Sequence, residues 1–215
     1  MAEERERSVQ VSGRGQVAVK PDLGHIRAAI VHQERTPEGA MSVANRAVTS
    51  VLEALERAGI ARDDITLGRY SVDSVSDYVE GRRIDRGYRI THSLTITVRE
   101  IERTGEVLAI AVNAGANEIS GVRFSVENPT PHIDRARELA FEDARHKADE
   151  LARLAGVSLG PVISIMETSY EPVPVERFER GMLAMKAMGT SAEPVPIDPE
   201  DTEFSVSVSV TWSLA

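Results

Sequence analysis

The sequence predicts an α+β fold, a mostly antiparallel or mixed sheet with helices packed on one face, and three kinds of observation carry that prediction. Several stretches alternate apolar and polar residues with the period of two that a strand imposes. Three others place apolar residues at spacings of three and four, the signature of an amphipathic helix. The strand-like stretches also keep one polar face, as half-covered antiparallel sheets do and fully buried parallel sheets do not. The predicted order is β-β-α-β-β-α-β-α-β-β.

Val9, Val11, Gly13, Gly15, Val17 and Val19 share one side of the first strand, with Gln10, Ser12, Arg14, Gln16, Ala18 and Lys20 on the other. Pro21-Asp22 reads as a turn, after which Ile26, Ala28 and Ile30 alternate toward His32, so the first two strands are expected to form a hairpin. Thr36-Pro37-Glu38-Gly39 reads as a helix start. Met41, Ala44, Val48, Val51, Leu52, Leu55 and Ala58 then follow helical spacing, and Gly59 serves as the cap.

Strand-rich residues 65–79 lead through the charged, glycine-containing segment EGRRIDRG to a second strand, together a long hairpin. Tyr88, Ile90, His92, Leu94, Ile96 and Val98 share one face of that second strand, and Arg89, Thr91, Ser93, Thr95 and Thr97 the other. A short helix over about 103–114 ends at Gly115, and a strand over 119–126 follows. The longest helix opens at Pro129 to Pro131 and closes at Gly156; its inward stripe, Ile133, Ala136, Ala140, Ala144, Ala148, Leu151 and Ala155, is small enough to lie close to what it covers.

After a strand over 162–169 the composition shifts, and residues 171–199 read as a proline- and methionine-containing excursion. Phe204, Val206, Val208, Val210 and Trp212 then alternate with serine and threonine, a last strand that needs neighbours elsewhere in the chain. No polar linker interrupts the pattern, so a single domain over residues 8–215 is expected.

The chain has 215 residues, a formal net charge of -9 and no cysteine. Such an acidic balance disfavours nucleic acid, whose phosphates need a surplus of Lys and Arg. Absence of cysteine excludes disulfides, thiolate metal sites and a thiol nucleophile. No apolar stretch approaches the length, on the order of 20 residues, that spans a bilayer. The first ten residues, MAEERERSVQ, are charged and carry no apolar leader, from which a cytoplasmic location is expected. A periplasmic or secreted location is the alternative if a leader has been removed.

The stretches VSGRGQVAVKPD, RGYRITHSLTITVRE, NAGANEISGVRFSVENP and ADELARLAGVSLGPV stand in an order that resembles the SIMPL-domain family, and the excursion and the final SVSVSVTWSL strand extend the resemblance over about 9–214. The resemblance implies a bacterial sheet-and-helix domain, often sent to the envelope, ring-forming in some members and linked to stress tolerance. It implies no agreed enzymatic activity, and a scaffold or partner-binding role.

No residue group outweighs its structural reading as a catalytic, cofactor or metal site. Gly13-Arg14-Gly15 lies within a strand, not before a helix N-terminus where a phosphate loop belongs, so its glycines read as room for a crossing helix. Glu142, His146, Asp149 and Glu150 share a helical face and could offer metal ligands, but they read first as a solvated face with local ion pairs. His92, on an apolar face, reads as a satisfied core residue. Met182, Met185 and Met188, with Phe178 upstream, could bind reduced copper but read as an apolar stripe and a possible subunit interface. The expectation is therefore a non-enzymatic oligomerising or scaffold protein without cofactor, whose partner is a second copy of itself. A small-ligand module with a pocket between sheet and helices is the alternative.

Overall fold

The computed structural model describes residues 7–173 and 199–215, with side chains described over 7–167 and 199–215. The methionine-rich part of the excursion, with Phe178, Met182, Met185 and Met188, lies outside the described residues. The described elements follow the order read from the sequence: β1 (Ser8–Val19), β2 (Leu23–Glu34), α1 (Pro37–Arg57), β3 (Ile65–Val79), β4 (Arg82–Val98), α2 (Thr104–Ala114), β5 (Glu118–Ser125), α3 (Thr130–Leu154), β6 (Leu159–Val173) and β7 (Thr202–Leu214).

They form two antiparallel sheets rather than one. One compact unit holds the three-stranded sheet β1-β7-β6 with α3; the other holds the four-stranded sheet β3-β4-β2-β5 with α1 and α2. The expected hairpin of the first two strands does not form: β1 pairs with β7, and β2 with β4 and β5. Lys20-Pro21-Asp22 instead carries the chain between sheets. Proline has no N–H to give a ladder, and the Asp22 N–H already donates to the Ser125 carbonyl of β5 at 3.1 Å.

In the three-stranded unit, Phe204, Val206, Val208, Val210 and Trp212 of β7 are buried toward α3, whose Ala136, Ala140, Ala144 and Ala148 are fully buried. The helix lies so close to β1 that a Cβ on Gly13 would meet the Ala140 carbonyl and the Ala144 amide. One on Gly15 would meet the Ala136 carbonyl and the Ala140 amide. The glycines and the alanines are two halves of one contact, which the sequence expected from the β1 side.

Residues of α3 also close the outer edge of β1. The Arg14 N–H donates to Asp143 Oδ2 at 2.9 Å, and Lys147 Nζ donates to the Ser12 carbonyl at 3.1 Å. Lys147 and Asp143 are themselves 2.6 Å apart. A strand edge whose polar groups are occupied by side chains is a poor template for another strand.

In the four-stranded unit, α1 begins where Thr36 accepts the Gly39 N–H at 3.2 Å and Pro37 sets the first turn. It ends with Gly59 at φ 88°, its N–H donating to Glu56 and the Ile60 N–H to Leu55, and the same pairing recurs at Gly115 and Gly156. Ile26, Ile30, Val51, Leu55, Ile96 and Val107 form the centre of its core. Each fully buried aliphatic side chain contributes about 1.5–3 kcal/mol.

The segment EGRRIDRG is not the link it was expected to be. Only Glu80 and Gly81, at φ 51° and 77°, make the turn, the conformation of a two-residue hairpin whose twist matches its strands. Pairing therefore starts at once, Val79 opposite Arg82, and most of the segment is β4.

Gly15→Ala is expected to lower stability by about 1–3 kcal/mol, because its new methyl meets backbone that cannot rotate away. Gln16→Ala, on the exposed face of the same strand, should change it by less than about 0.5 kcal/mol. Urea unfolding midpoints of both variants check this, and equal midpoints would refute the close contact.

Candidate functional site

The histidines, which share no motif spacing, are brought together by sheet pairing. On β2, His25 lies on the face away from the core, between Arg123 of β5 and Thr97 of β4 in register. Its Nε2 is 2.8 Å from Ser125 Oγ and its Nδ1 is 3.4 Å from Thr97 Oγ1. Burial pushes the His25 pKa down, and the positive charge of Arg27 adds to that shift. A neutral imidazole beside a serine hydroxyl is half of a nucleophilic pair. The other half is lacking: Nδ1 faces a weakly placed hydroxyl, not the carboxylate that would hold the tautomer and stabilise an imidazolium.

His32 and His92 lie on the opposite, core-facing side of the same sheet, where Ile30 pairs with His92 and His32 with Ile90. Ile90 packs with Ala40 and Ala44 in the first turns of α1. His92 stands edge-on to Tyr70, ring centroids 5.2 Å apart at 85°. The expectation of a core-facing His92 holds, but that of a satisfied one does not. His92 Nδ1 and His32 Nε2 are buried without a hydrogen-bond partner. Burial pushes the His92 pKa down.

The remaining sequence candidates resolve locally. Gly13 and Gly15 face α3, as described. Glu142, His146, Asp149 and Glu150 are all exposed along α3, with Asp149 4.0 Å from Arg145. Among the described residues no group of three or more His, Asp or Glu side chains is placed to hold a metal ion. A shallow depression lined by Glu53, Glu56 and Arg57 lies on the exposed side of α1, away from the helix–sheet junction.

Two surfaces went unrecognised in the sequence. Edge strand β6 is exposed from Pro161 through Glu167, and its apolar residues reach 41% exposure at Val162, 49% at Ile163, 58% at Ile165 and 65% at Met166. Its ladder with β7 shifts register three times; Arg137 of α3 reaches across to Glu167 at 2.7 Å. The second surface is the outer part of the β3–β4 hairpin, where Tyr70, Val72, Tyr78, Val79 and Ile84 are exposed. The strands themselves were expected, but register shifts break the period that would have marked which of their residues stay exposed.

These features define an antiparallel α+β protein with two helix-backed sheets, one guarded strand edge and one apolar strand edge. The chain belongs to the SIMPL family, described as "Protein of unknown function (DUF541)", whose model matches residues 9–212 and so runs through both units. It is similar to the 26 kDa periplasmic immunogenic protein of Brucella melitensis, 31% identical over 96% of this chain and 84% of that protein. It is also similar to the uncharacterized protein YggE of Escherichia coli, 29% identical over 96% of this chain and 82% of that one. A more distant likeness is to the human interleukin-1 receptor-associated kinase 1-binding protein 1, 25% identical over 75% of this chain and 60% of that protein.

The relatives overturn the cytoplasmic expectation, since those from Brucella are named periplasmic proteins. Export is directed by a terminal segment and not by the residues that fold, so composition and strand pattern carry no address. No helix among the described residues is long and apolar enough to cross a membrane.

The histidine shifts give stability a pH dependence of defined sign. Both His25 and His92 lie below the ordinary value of 6.5 in the folded protein. Below about pH 6.5 the unfolded chain takes up protons that the native state refuses, so stability is full above that pH and falls as pH drops. His92→Phe should flatten part of this decline. Urea midpoints from pH 8 to pH 5 read it, and parallel curves for the two proteins would refute it.

Proposed function

We propose that this SIMPL-family chain is a non-enzymatic, self-assembling scaffold protein of the periplasm, acting as one domain, with the stress-related role that its family resemblance implies. The observation that carries this reading is the apolar outer strand β6, left open while β1 at the other edge of the same sheet is blocked by Asp143 and Lys147. An exposed apolar edge is a hazard in a monomer and a ready interface in an assembly. Its position next to the excursion keeps Phe178, Met182, Met185 and Met188 in the proposal as further interface residues.

Light scattering coupled to size-exclusion chromatography, over a range of concentrations, tests assembly directly. A discrete mass of several chains is expected, reduced by Ile163→Lys with Ile165→Lys. A single-chain mass at every concentration would end the proposal. Replacing Met182, Met185 and Met188 by Ser separates the two surfaces: an unchanged mass removes the excursion from the interface and leaves β6.

A second reading, a small-ligand module, draws on the two buried imidazole nitrogens that lack partners on the core-facing side of β2 and β4. A polar ligand or a transition-metal ion would satisfy them. Titration with Zn2+ or Ni2+, followed by thermal unfolding, should raise the midpoint with the logarithm of metal concentration, reflecting about 2.7 kcal/mol of added stability at a hundred times Kd. The rise should vanish in His32→Ala with His92→Ala. A rise that persists in that variant would place the binding elsewhere.

A further inference from the structure

His25 and Arg27 stand on the face of the four-stranded sheet that looks away from α1 and α2. The helices pack on the other side, where Val51, Leu55 and Val107 meet Ile26 and Ile96. Strand register sets the rows of the polar face. Arg123 of β5, His25 of β2 and Thr97 of β4 stand side by side, and the next row holds Gly121, Arg27, Thr95 and Thr66. Beside Gly121 the β2–β5 ladder shifts register, and a Cβ on that glycine would meet nothing within 4 Å. The bulge therefore leaves open space next to Arg27, a device by which sheets make room at binding sites.

Arg27 is exposed and makes no ion pair among the described residues. Burial and then the Arg27 charge push the His25 pKa down, and no carboxylate acts in the other direction. Arg123 flanks His25 from β5, Glu118 stands opposite Ala29 one row past Arg27, and β4 contributes only hydroxyls to the rows of His25 and Arg27. Asp64 is held by Arg99 at 3.0 Å, and Asp22 and Glu127, just beyond the strand ends, have partners of their own. In a chain of net charge -9, an arginine without an acid, beside a histidine that resists protonation, marks a local surplus of positive charge.

We propose that His25, Arg27 and Ser125 bind a tetrahedral oxyanion, the phosphate or sulfate group of an ester. Arg27 supplies charge and a planar fork of N–H donors. Ser125 supplies a hydroxyl whose proton His25 directs. With the neutral ring protonated on Nδ1, toward Thr97 Oγ1 at 3.4 Å, Nε2 accepts the Ser125 O–H at 2.8 Å. An arriving anion lets the ring take a second proton from solvent. Nε2–H then donates to Ser125 Oγ, and the hydroxyl turns its own proton to the anion. Donors on two strands and two rows suit the diverging oxygens of a tetrahedral anion better than the planar pair of a carboxylate. The site is separate from β6, which belongs to the other unit, and from His32 and His92 on the opposite side of the sheet.

Calorimetric titration of the full chain with sodium sulfate, whose charge is constant between about pH 8 and pH 5, tests the site. Binding should tighten as pH falls, and heats in two buffers of different ionisation enthalpy should show proton uptake. Arg27→Ala should weaken binding about ten-fold or more, with part of the loss recovered in Arg27→Lys. His25→Gln should flatten the pH slope. Circular dichroism verifies that each variant is folded. Inorganic phosphate and vesicles of phosphatidylcholine with phosphatidic acid separate the sources of the group: cosedimentation with the vesicles assigns a lipid headgroup, and binding of free phosphate alone a soluble ester. The proposal is overturned by the absence of heat with sulfate up to about 10 mM, by unchanged affinity in Arg27→Ala, or by a pH slope that persists in His25→Gln. None of these readouts depends on whether the chain assembles.

Discussion

The ladder between β1 and β7 is the constraint on which the rest of the three-stranded unit depends. It joins Ser8 to Ser213 and Val19 to Thr202, the first described strand to the last, in unbroken register over twelve residue pairs. Closing a loop of this length is entropically costly, though the cost grows only slowly with length. The return comes from the valine face of β7 and the alanine face of α3, which bury each other once the strands are paired. Without β1, α3 would have no strand of glycines to approach and β7 would present an open edge. Contacts so distant in sequence also slow folding.

The same close approach decides which surfaces remain available. With α3 drawn onto β1, Asp143 and Lys147 come within reach of the strand's outer backbone and occupy it. No comparable pair guards β6 among the described contacts, its ladder is irregular, and Ile163, Ile165 and Met166 are exposed. In the other unit, the tight Glu80-Gly81 turn has a parallel consequence. By letting β3 and β4 pair to their ends, it produces an arm longer than the sheet that supports it. The open surfaces here are by-products of how strands of unequal length and regularity are paired.

Much of the fold was legible because it depends on periodicity and on end signals. Helix α1 was readable from Thr36 to Gly59 since capping chemistry is local, and the alternation of β7 survives intact in the structure. The glycines of β1 pointed to a crossing helix because only a missing side chain permits that approach. The candidate sites were less legible. His25, Ser125 and Thr97 come from three strands, and nothing in their sequence neighbourhoods signals that they meet. His92 was placed on the correct face, but whether its nitrogens find partners depends on residues that another strand and a helix bring near.

The sequence by itself determined the class of fold, the order of its elements and the inward faces of β1, β2, β4 and β7, because helix and strand periods and cap residues act over a few neighbouring positions. Tertiary structure alone decided that there are two sheets, that β1 pairs with the far end of the chain and not with β2, and which edges stay open. Those outcomes depend on competition among strands for partners, and the backbone hydrogen bonds of a ladder are the same whichever strand supplies them. What chooses between them is the fit of Gly13 and Gly15 against the alanines of α3, a contact between residues more than a hundred positions apart that no local pattern contains.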